Sequence, residues 1–390
     1  MKPRQHILPI IIVSQFACTS VWFAGNSVVD ELAIKTGFGS ELIGYILSSV
    51  QFGFIVGTLT FALLMVADRF SPSRVFLCCA FLAACCNLLL LTDNITKGLL
   101  LTARFGTGFF LAGIYPVGMK IAADYYEKGL GRALGYLVGA LVFGKAFPYL
   151  IKSFDLGNDF ASVIKTTSTF CMLGGLLLWI FIPNGPFRKP SKKLKLTAGP
   201  KLFKIVGFRK AAFGYFGHMW ELYAFWGFLP FALKAFNSLG EHKIFVAFWT
   251  SIIIALGGFS CIVGGHLSLR HGSKNVAVIA LIISGSLCLV SPLLFNFSPY
   301  IFLLAFCLWG MAVTADSPQF SSMVASVVPA DLKGTALTLV NCIGFAISIL
   351  SIQLLSFLAN IINLTYLFII LAIGPVLGLW SLQTKTGSIE

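Results

Sequence analysis

Twelve long apolar stretches dominate this sequence, and each is long enough to cross a lipid bilayer. A helix needs roughly 20 apolar residues to span the hydrocarbon core. The stretches occupy residues 7–29, 42–66, 74–91, 99–122, 133–151, 160–182, 211–236, 244–267, 276–295, 301–327, 335–358 and 364–382. In lipid the backbone polar groups must be satisfied within the segment, and a helix does this. The pattern therefore predicts an all-α membrane protein with twelve transmembrane helices, which we call spans 1 to 12.

The composition excludes several classes of protein. Hydrophobic residues make up 57% of the 390 residues and charged residues only 11%, whereas soluble domains carry about a quarter charged residues. A soluble enzyme, a nucleic-acid-binding protein and a disordered scaffold are excluded. The first apolar stretch exceeds the roughly 7–15 residues of a signal-peptide core. All ten cysteines lie in apolar stretches without paired Cys-x-x-Cys motifs, so we expect no disulfide, no metal site and no cofactor.

The basic residues indicate how the chain is oriented. The formal net charge is +14, and nine of the 28 Lys and Arg residues lie between Arg188 and Lys210. Most of the other basic residues flank apolar stretches on the side of the two termini. Cytoplasmic loops carry the excess of Lys and Arg. We therefore expect a multi-pass protein of the plasma (inner) membrane with both termini cytoplasmic, in which the basic segment also contacts anionic lipid.

The two halves of the sequence repeat one another. Three pairs of landmarks recur at a nearly constant offset of 201 to 203 residues: Arg69 and Arg270, Pro116 and Pro318, and Gly131 and Gly334. This offset predicts a six-helix bundle over residues 1–182, a basic cytoplasmic linker over 183–210, and a second six-helix bundle over 211–390. Duplicated halves that meet near the bilayer midplane are the architecture of alternating-access transporters.

The loop motifs resemble those of the major facilitator superfamily. Its members carry Gly-x-Leu-Ala-Asp-Arg-x-Gly-Arg-Lys after spans 2 and 8, and this chain retains Ala67-Asp68-Arg69 in the first copy and Gly265 to Lys274, including Arg270, in the second. Arg104-Phe105-Gly106-Thr107-Gly108 resembles the span 4 pattern of the family. The resemblance implies a monomeric alternating-access transporter of small molecules. We interpret Asp68, Arg69 and Arg270 as a conformational latch between cytoplasmic helix ends.

Span 5 departs from the pattern of drug–proton antiporters in the superfamily. Those members carry Gly-x-x-x-Gly-Pro-x-x-Gly-Gly in this span. Here Ala140 replaces the proline, and Lys145 follows Gly144 directly. The departure argues against multidrug export and favours uptake.

Five ionisable side chains lie deep within predicted spans. They are Arg104, Lys145, His218, Glu221 and Asp316. Each charged group at a helix centre costs about 2.5–3.5 kcal/mol on insertion scales, so each one needs a structural or functional reason. At about 1.5 Å per residue, Glu221 lies near the midplane and Lys145 somewhat beyond it. By the resemblance, spans 1, 4, 7 and 10 line the cavity.

Each of these groups has a functional and a structural interpretation. Lys145 either binds an anionic substrate or neutralises an acid such as Glu221. Glu221 and His218 share a helix face at i, i+3 and suit a proton relay, or form a polar patch that holds span 7 against span 1. By the resemblance Arg104 serves coupling, but it could equally hold span 4 through backbone carbonyls. Asp316 either takes part in coupling or has a structural role, in which it satisfies the turn before Ser317-Pro318 or pairs with cations on the cytoplasmic side.

Aromatic side chains cluster in the predicted cavity spans. Trp22, Tyr115, Trp220 and Tyr223 are the candidate walls of a substrate site, with Phe23 and Trp226 beside them. Interfacial belts and lipid packing are the alternative explanation.

These features favour a secondary-active transporter that takes up a small organic, anionic substrate together with protons. An exporter that exchanges protons for amphipathic or cationic compounds is the alternative. A polytopic membrane enzyme lacks support, because no nucleophile–base, metal or nucleotide motif is present. Two six-helix halves also suit a rocking transporter better than a channel. The coupling ion, proton or sodium, stays open at this point.

Overall fold

The computed structural model describes residues 6–39, 41–126, 130–154, 160–188, 194–240 and 243–383. The central linker predicted at 183–210 therefore lies partly outside the described residues, as do both ends of the chain. Within the described ranges every regular element is helical. The predicted all-α fold is confirmed.

In the described residues, twelve long helical segments follow one another at the positions of the twelve predicted spans. Their bounds are Ile7–Trp22, Leu42–Leu63, Pro72–Leu91, Lys97–Tyr125, Gly131–Phe154, Phe160–Phe181, Val206–Leu239, Val246–His271, Ser273–Leu294, Pro299–Ser326, Lys333–Leu358 and Leu364–Gln383. Ten of them are long and apolar enough to cross a membrane by length and composition. Span 1 is a shorter apolar helix, and span 7 is the long helix that contains Glu221.

Span 1 is broken, whereas its sequence predicted one continuous helix. The α-helix Ile7–Thr19 passes into a 3-10 turn at Ser20–Trp22, and short helices follow at Ala24–Ser27 and Val29–Thr36. The hydroxyl of Thr19 donates to the carbonyl of Gln15, and that of Ser20 donates to the carbonyl of Ala17, both at 2.7 Å. Side chains that bond back to the preceding turn bend helices. At the break, the buried carbonyls of Val21 and Trp22 accept hydrogen bonds from Arg104.

Spans 4 and 10 are interrupted at equivalent places. Helix Lys97–Leu111 ends before Tyr115–Tyr125 begins, and helix Pro299–Ala315 ends before Ser317–Ser326 begins. Each second segment carries a proline in its first turn, where the missing N–H is tolerated. The sequence repeat between Pro116 and Pro318 therefore marks a structural repeat of the two bundles.

The two bundles meet along spans 5 and 8 and along spans 2 and 11. A Cβ built on Gly139 or on Gly258 would lie 3.2 Å from the carbonyl oxygen of the other residue, so these two spans cross at close range. On the other side, the amide of Gln353 donates to the hydroxyl of Ser48 at 2.7 Å. Small and hydrogen-bonding residues are what helix contacts in lipid use. Both contacts join the N-terminal bundle to the C-terminal bundle.

Candidate functional site

Lys145 lies between the two bundles and is enclosed by aromatic rings. Its side chain is 1% exposed. The ammonium lies 4.1 Å from the ring centroid of Trp22, 4.3 Å from that of Tyr223, 4.9 Å from that of Trp226 and 5.8 Å from that of Phe23. We call these four rings the aromatic cage. Rings at such distances attract a cation through their quadrupoles.

Among the described residues, the ammonium of Lys145 has one hydrogen-bond acceptor. Its ammonium donates to the hydroxyl of Tyr223 at 2.6 Å, although an ammonium has three donors. In the described part of the chain, no ion pair joins Lys145 to a carboxylate. A buried charge is costly unless it is paired. The aromatic cage offsets part of the free-energy cost of burying the ammonium. An anion bound next to the ammonium would offset more of it.

Glu221 is held inside the C-terminal bundle, away from Lys145. Its carboxyl oxygens accept hydrogen bonds from the indole N–H of Trp309 at 2.7 Å, from the hydroxyl of Ser284 at 2.9 Å and from the thiol of Cys288 at 3.4 Å. Ser284 and Cys288 are one helical turn apart on span 9, so both reach the same carboxyl group. Nothing in the sequence distinguished these three donors, except that Ser284 and Cys288 share a helix face.

His218 and Asp316 form a second buried polar pair, between spans 7 and 10. The Nδ1 atom of His218 lies 2.8 Å from Oδ1 of Asp316, and both side chains are almost fully buried. The packing alternative for His218 predicted contact with span 1, and one alternative for Asp316 predicted a pair with cations on the cytoplasmic side. The structure brings His218 and Asp316 together instead. Glu221 lies one helical turn from His218, so spans 7, 9 and 10 hold two carboxyl groups and an imidazole close together. Such a group of side chains can accept, hold and release protons.

Arg104 is bonded to the break in span 1. Its guanidinium donates to the carbonyls of Val21 and Trp22 and, at 3.2 Å, to the side-chain oxygen of Asn87. A Cβ built on Gly25 would lie 3.1 Å from Arg104 Nε, so the glycine makes room for the side chain. These contacts match the interpretation in which Arg104 holds backbone carbonyls. Asn87 was not found by sequence reasoning.

The other candidate residues lie at varying distances from the cage. Trp220 donates to the carbonyl of Ile370 at 3.2 Å and so faces span 12. Tyr115 is half-buried at the break in span 4. Of the four predicted wall residues, the structure places Trp22 and Tyr223 around Lys145.

Asp68 pairs with Lys120 at 2.8 Å, within the N-terminal bundle, whereas Arg69 and Arg270 are exposed.

Comparison with known proteins assigns the class of this molecule. Its fold of two pseudo-symmetric six-helix bundles is that of a membrane transporter. Residues 10–351 match the family model of the Major Facilitator Superfamily, and the chain belongs to that superfamily. No curated protein sequence matches the chain.

Solved structures with this fold include two transporters. The superfamily transporter FucP in the outward conformation is 17% identical, with a TM-score of 0.66 over 98% of this chain and all of that one. A variant of the E. coli fucose:proton symporter FucP is 18% identical, with a TM-score of 0.64 over 98% of this chain and all of that one. The proton:xylose symporter XylE with bound 6-bromo-6-deoxy-D-glucose is 12% identical, with a TM-score of 0.74 over 96% and 94% of the two chains. At these identities the likeness concerns the fold.

Proposed function

We propose that this transporter takes up a small organic anion together with protons, and that Lys145 binds the anionic group. The observation that carries the proposal is a buried ammonium between the two bundles, with one hydrogen-bond acceptor and no carboxylate partner among the described residues. A lysine that served only to neutralise Glu221 would lie against it, yet the carboxyl group of Glu221 has three other donors.

Alternating access follows from the position of Lys145. Its side chain belongs to span 5 of the N-terminal bundle, and its acceptor Tyr223 belongs to span 7 of the C-terminal bundle. An anion that binds the ammonium competes with this bond between the bundles. Binding energy that differs between two conformations shifts their populations. The substrate thereby favours a state in which the bundles can rock about it.

Proton coupling rests on the groups of the C-terminal bundle. Glu221 is the proposed proton-carrying carboxyl group. His218 lies one turn away on the same helix, and its partner Asp316 belongs to span 10. The carbonyl contacts of Arg104 give this residue a supporting role at the break in span 1. We further propose a monomer in the inner membrane with cytoplasmic termini, on the basis of the Lys and Arg distribution.

Proteoliposomes test both parts of the proposal. We expect that adding a recognised organic acid to one side alkalinises that side, because protons enter with the anion. Lys145→Met removes the ammonium and keeps an apolar chain of similar length, so it should abolish the signal. Lys165→Met is the matched control, since Lys165 is an exposed lysine of span 6. Alkalinisation that persists in Lys145→Met would contradict the proposed site.

Export of cationic compounds is the second candidate, and the aromatic cage favours it. Aromatic rings around a cation are the arrangement that binds quaternary ammonium ligands. In that case a cationic substrate would depend on Glu221 and not on Lys145. Glu221→Gln should then abolish cation transport, whereas Lys145→Ala should leave it intact.

A further inference from the structure

A cavity of about 500 Å³ lies between the bundles, at the end of the molecule away from the short helix Val66–Arg69. The N-terminal bundle contributes Asn26, Glu31 and Tyr149 to its wall, and the C-terminal bundle contributes Phe231 and Lys234. None of the candidate site residues discussed above lines this cavity. It is therefore distinct from the aromatic cage.

Three residues of the cavity wall carry buried polar atoms that have no partner among the described residues. Within the described residues, four such atoms have no hydrogen-bond partner: the nitrogen and oxygen of the Asn26 amide, the hydroxyl of Tyr149 and Oε2 of Glu31. Asn26 is 2% exposed and Tyr149 is 3% exposed. Buried polar groups are nearly always hydrogen-bonded, so such a group of exceptions needs an explanation. A ligand that supplies both donors and acceptors would satisfy these atoms once the side chains turn towards the cavity.

The charges of the cavity are already balanced. Lys152 pairs with Oε1 of Glu31 at 2.7 Å within the N-terminal bundle. Lys234 pairs with Asp30, and this second ion pair joins the two bundles. Two ammonium groups thus face two carboxylates. What stays unsatisfied is mainly the neutral hydrogen-bonding capacity of Asn26 and Tyr149, and hydroxyl groups match this better than a further charge does.

The cavity lies next to the cage along the helices. Tyr149 follows Lys145 by four residues in one continuous helix, so it lies about one turn beyond Lys145 on the same helix face. Asn26 follows Trp22 by four residues along the chain, just beyond the break in span 1. We propose that the cavity is a first binding site for a hydroxylated small solute that then passes to Lys145. This inference rests on the proposed function, in which Lys145 binds the carboxylate. The substrate would then be a hydroxylated organic acid whose hydroxyl groups are recognised in the cavity.

Three six-carbon compounds separate the two sites. Gluconate carries a carboxylate and hydroxyl groups, hexanoate carries only the carboxylate, and glucitol carries only hydroxyl groups. Binding of each to the purified full-length protein is measured by isothermal titration calorimetry. We expect gluconate to bind at least about tenfold more tightly than hexanoate, since each hydroxyl bonded in a buried site contributes to affinity.

Two variants remove the unpartnered atoms of the cavity. Tyr149→Phe and Asn26→Leu delete groups that have no described partner, so the melting temperature should stay at or above the wild-type value. Each variant should lower the preference for gluconate over hexanoate by about fivefold or more. Tyr300→Phe, at an exposed tyrosine elsewhere, is the control and should change nothing.

The outcomes distinguish this inference from the proposed function. Lys145→Met should weaken binding of both acids while leaving glucitol binding and the preference for hydroxylated acid in place. If Lys145→Met leaves the acids unaffected but Tyr149→Phe weakens glucitol, the cavity site stands and the anion site at Lys145 does not. If Tyr149→Phe and Asn26→Leu keep the full preference, or if neither gluconate nor glucitol binds the wild type, the cavity site is overturned.

Discussion

Lys145 of the N-terminal bundle donates a hydrogen bond of 2.6 Å to the hydroxyl of Tyr223 in the C-terminal bundle. The same ammonium lies 4.3 Å from the centroid of the Tyr223 ring. One side chain therefore supplies an acceptor and a ring to the buried cation. This relationship links the charge of the site to the contact between the two halves that alternating access must change.

Tyr223→Phe tests whether this bond competes with the substrate. The variant keeps the ring and removes the acceptor, so the ammonium of the empty protein is left without a described oxygen partner. A hydrogen bond to a charged group contributes about 1.5–3 kcal/mol. We expect a lower melting temperature of the empty protein and tighter binding of organic anions, by about tenfold or more. Calorimetry on wild type and variant measures both, and weaker anion binding in Tyr223→Phe would contradict competition.

Glu221→Gln should separate proton coupling from substrate binding. Glutamine has nearly the same shape and retains an oxygen that can accept from Trp309 or Ser284, but it cannot exchange a proton. Accumulation driven by a pH gradient should be lost, whereas exchange of labelled for unlabelled substrate at equal pH should continue. Both assays use proteoliposomes, with Glu41→Gln in the loop before span 2 as the control. Full accumulation in Glu221→Gln would exclude this carboxyl group as the coupling site.

The pair His218–Asp316 is suited to a double-mutant cycle. Removing one partner leaves a buried ionisable group without its contact across spans 7 and 10, which costs about 1–3 kcal/mol, and removing both avoids that penalty. We therefore expect Asp316→Ala and His218→Ala each to lower the melting temperature, and the double variant to be more stable than the sum of the two losses predicts. Strict additivity of the two losses would show that the 2.8 Å contact contributes nothing to stability.

Arg104→Lys distinguishes support of span 1 from direct coupling. The guanidinium bonds to two carbonyls and to Asn87, and a lysine cannot reproduce this fork. The variant should lose about 1–3 kcal/mol of stability, while the stoichiometry of protons per substrate stays unchanged. Arg209→Lys, at an exposed arginine, serves as the control. An altered stoichiometry at unchanged stability would assign Arg104 to coupling instead.

The fold could be predicted from the sequence because lipid imposes a simple pattern. Each span needs a long apolar run, and the proline at position 116 or 318 marks an interrupted helix in each half. The break in span 1 could not be predicted, because it depends on the hydrogen bonds of Thr19 and Ser20 to nearby carbonyls. These bonds do not interrupt the apolar stretch in the sequence.

The ionisable residues of the site could be predicted because their cost in the membrane makes them conspicuous, and Trp22 and Tyr223 could be predicted as aromatic walls. The other hydrogen-bond partners could not be predicted. Asn87, Ser284 and Trp309 are unremarkable in sequence, and each becomes important only where two spans cross. The pairing of His218 with Asp316 likewise depends on how spans 7 and 10 face one another, which hydropathy does not determine.

A thermal-shift measurement with organic anions tests the central claim that Lys145 binds the anionic group. Wild type, Lys145→Met and Lys165→Met are heated with a panel of small organic acids and with cationic amphiphiles. A ligand at about 100 times its dissociation constant stabilises a protein by about 2.7 kcal/mol, which is readily detected. The account predicts an acid that stabilises the wild type and Lys165→Met but not Lys145→Met. Stabilisation by cations alone, unchanged in Lys145→Met, would contradict it.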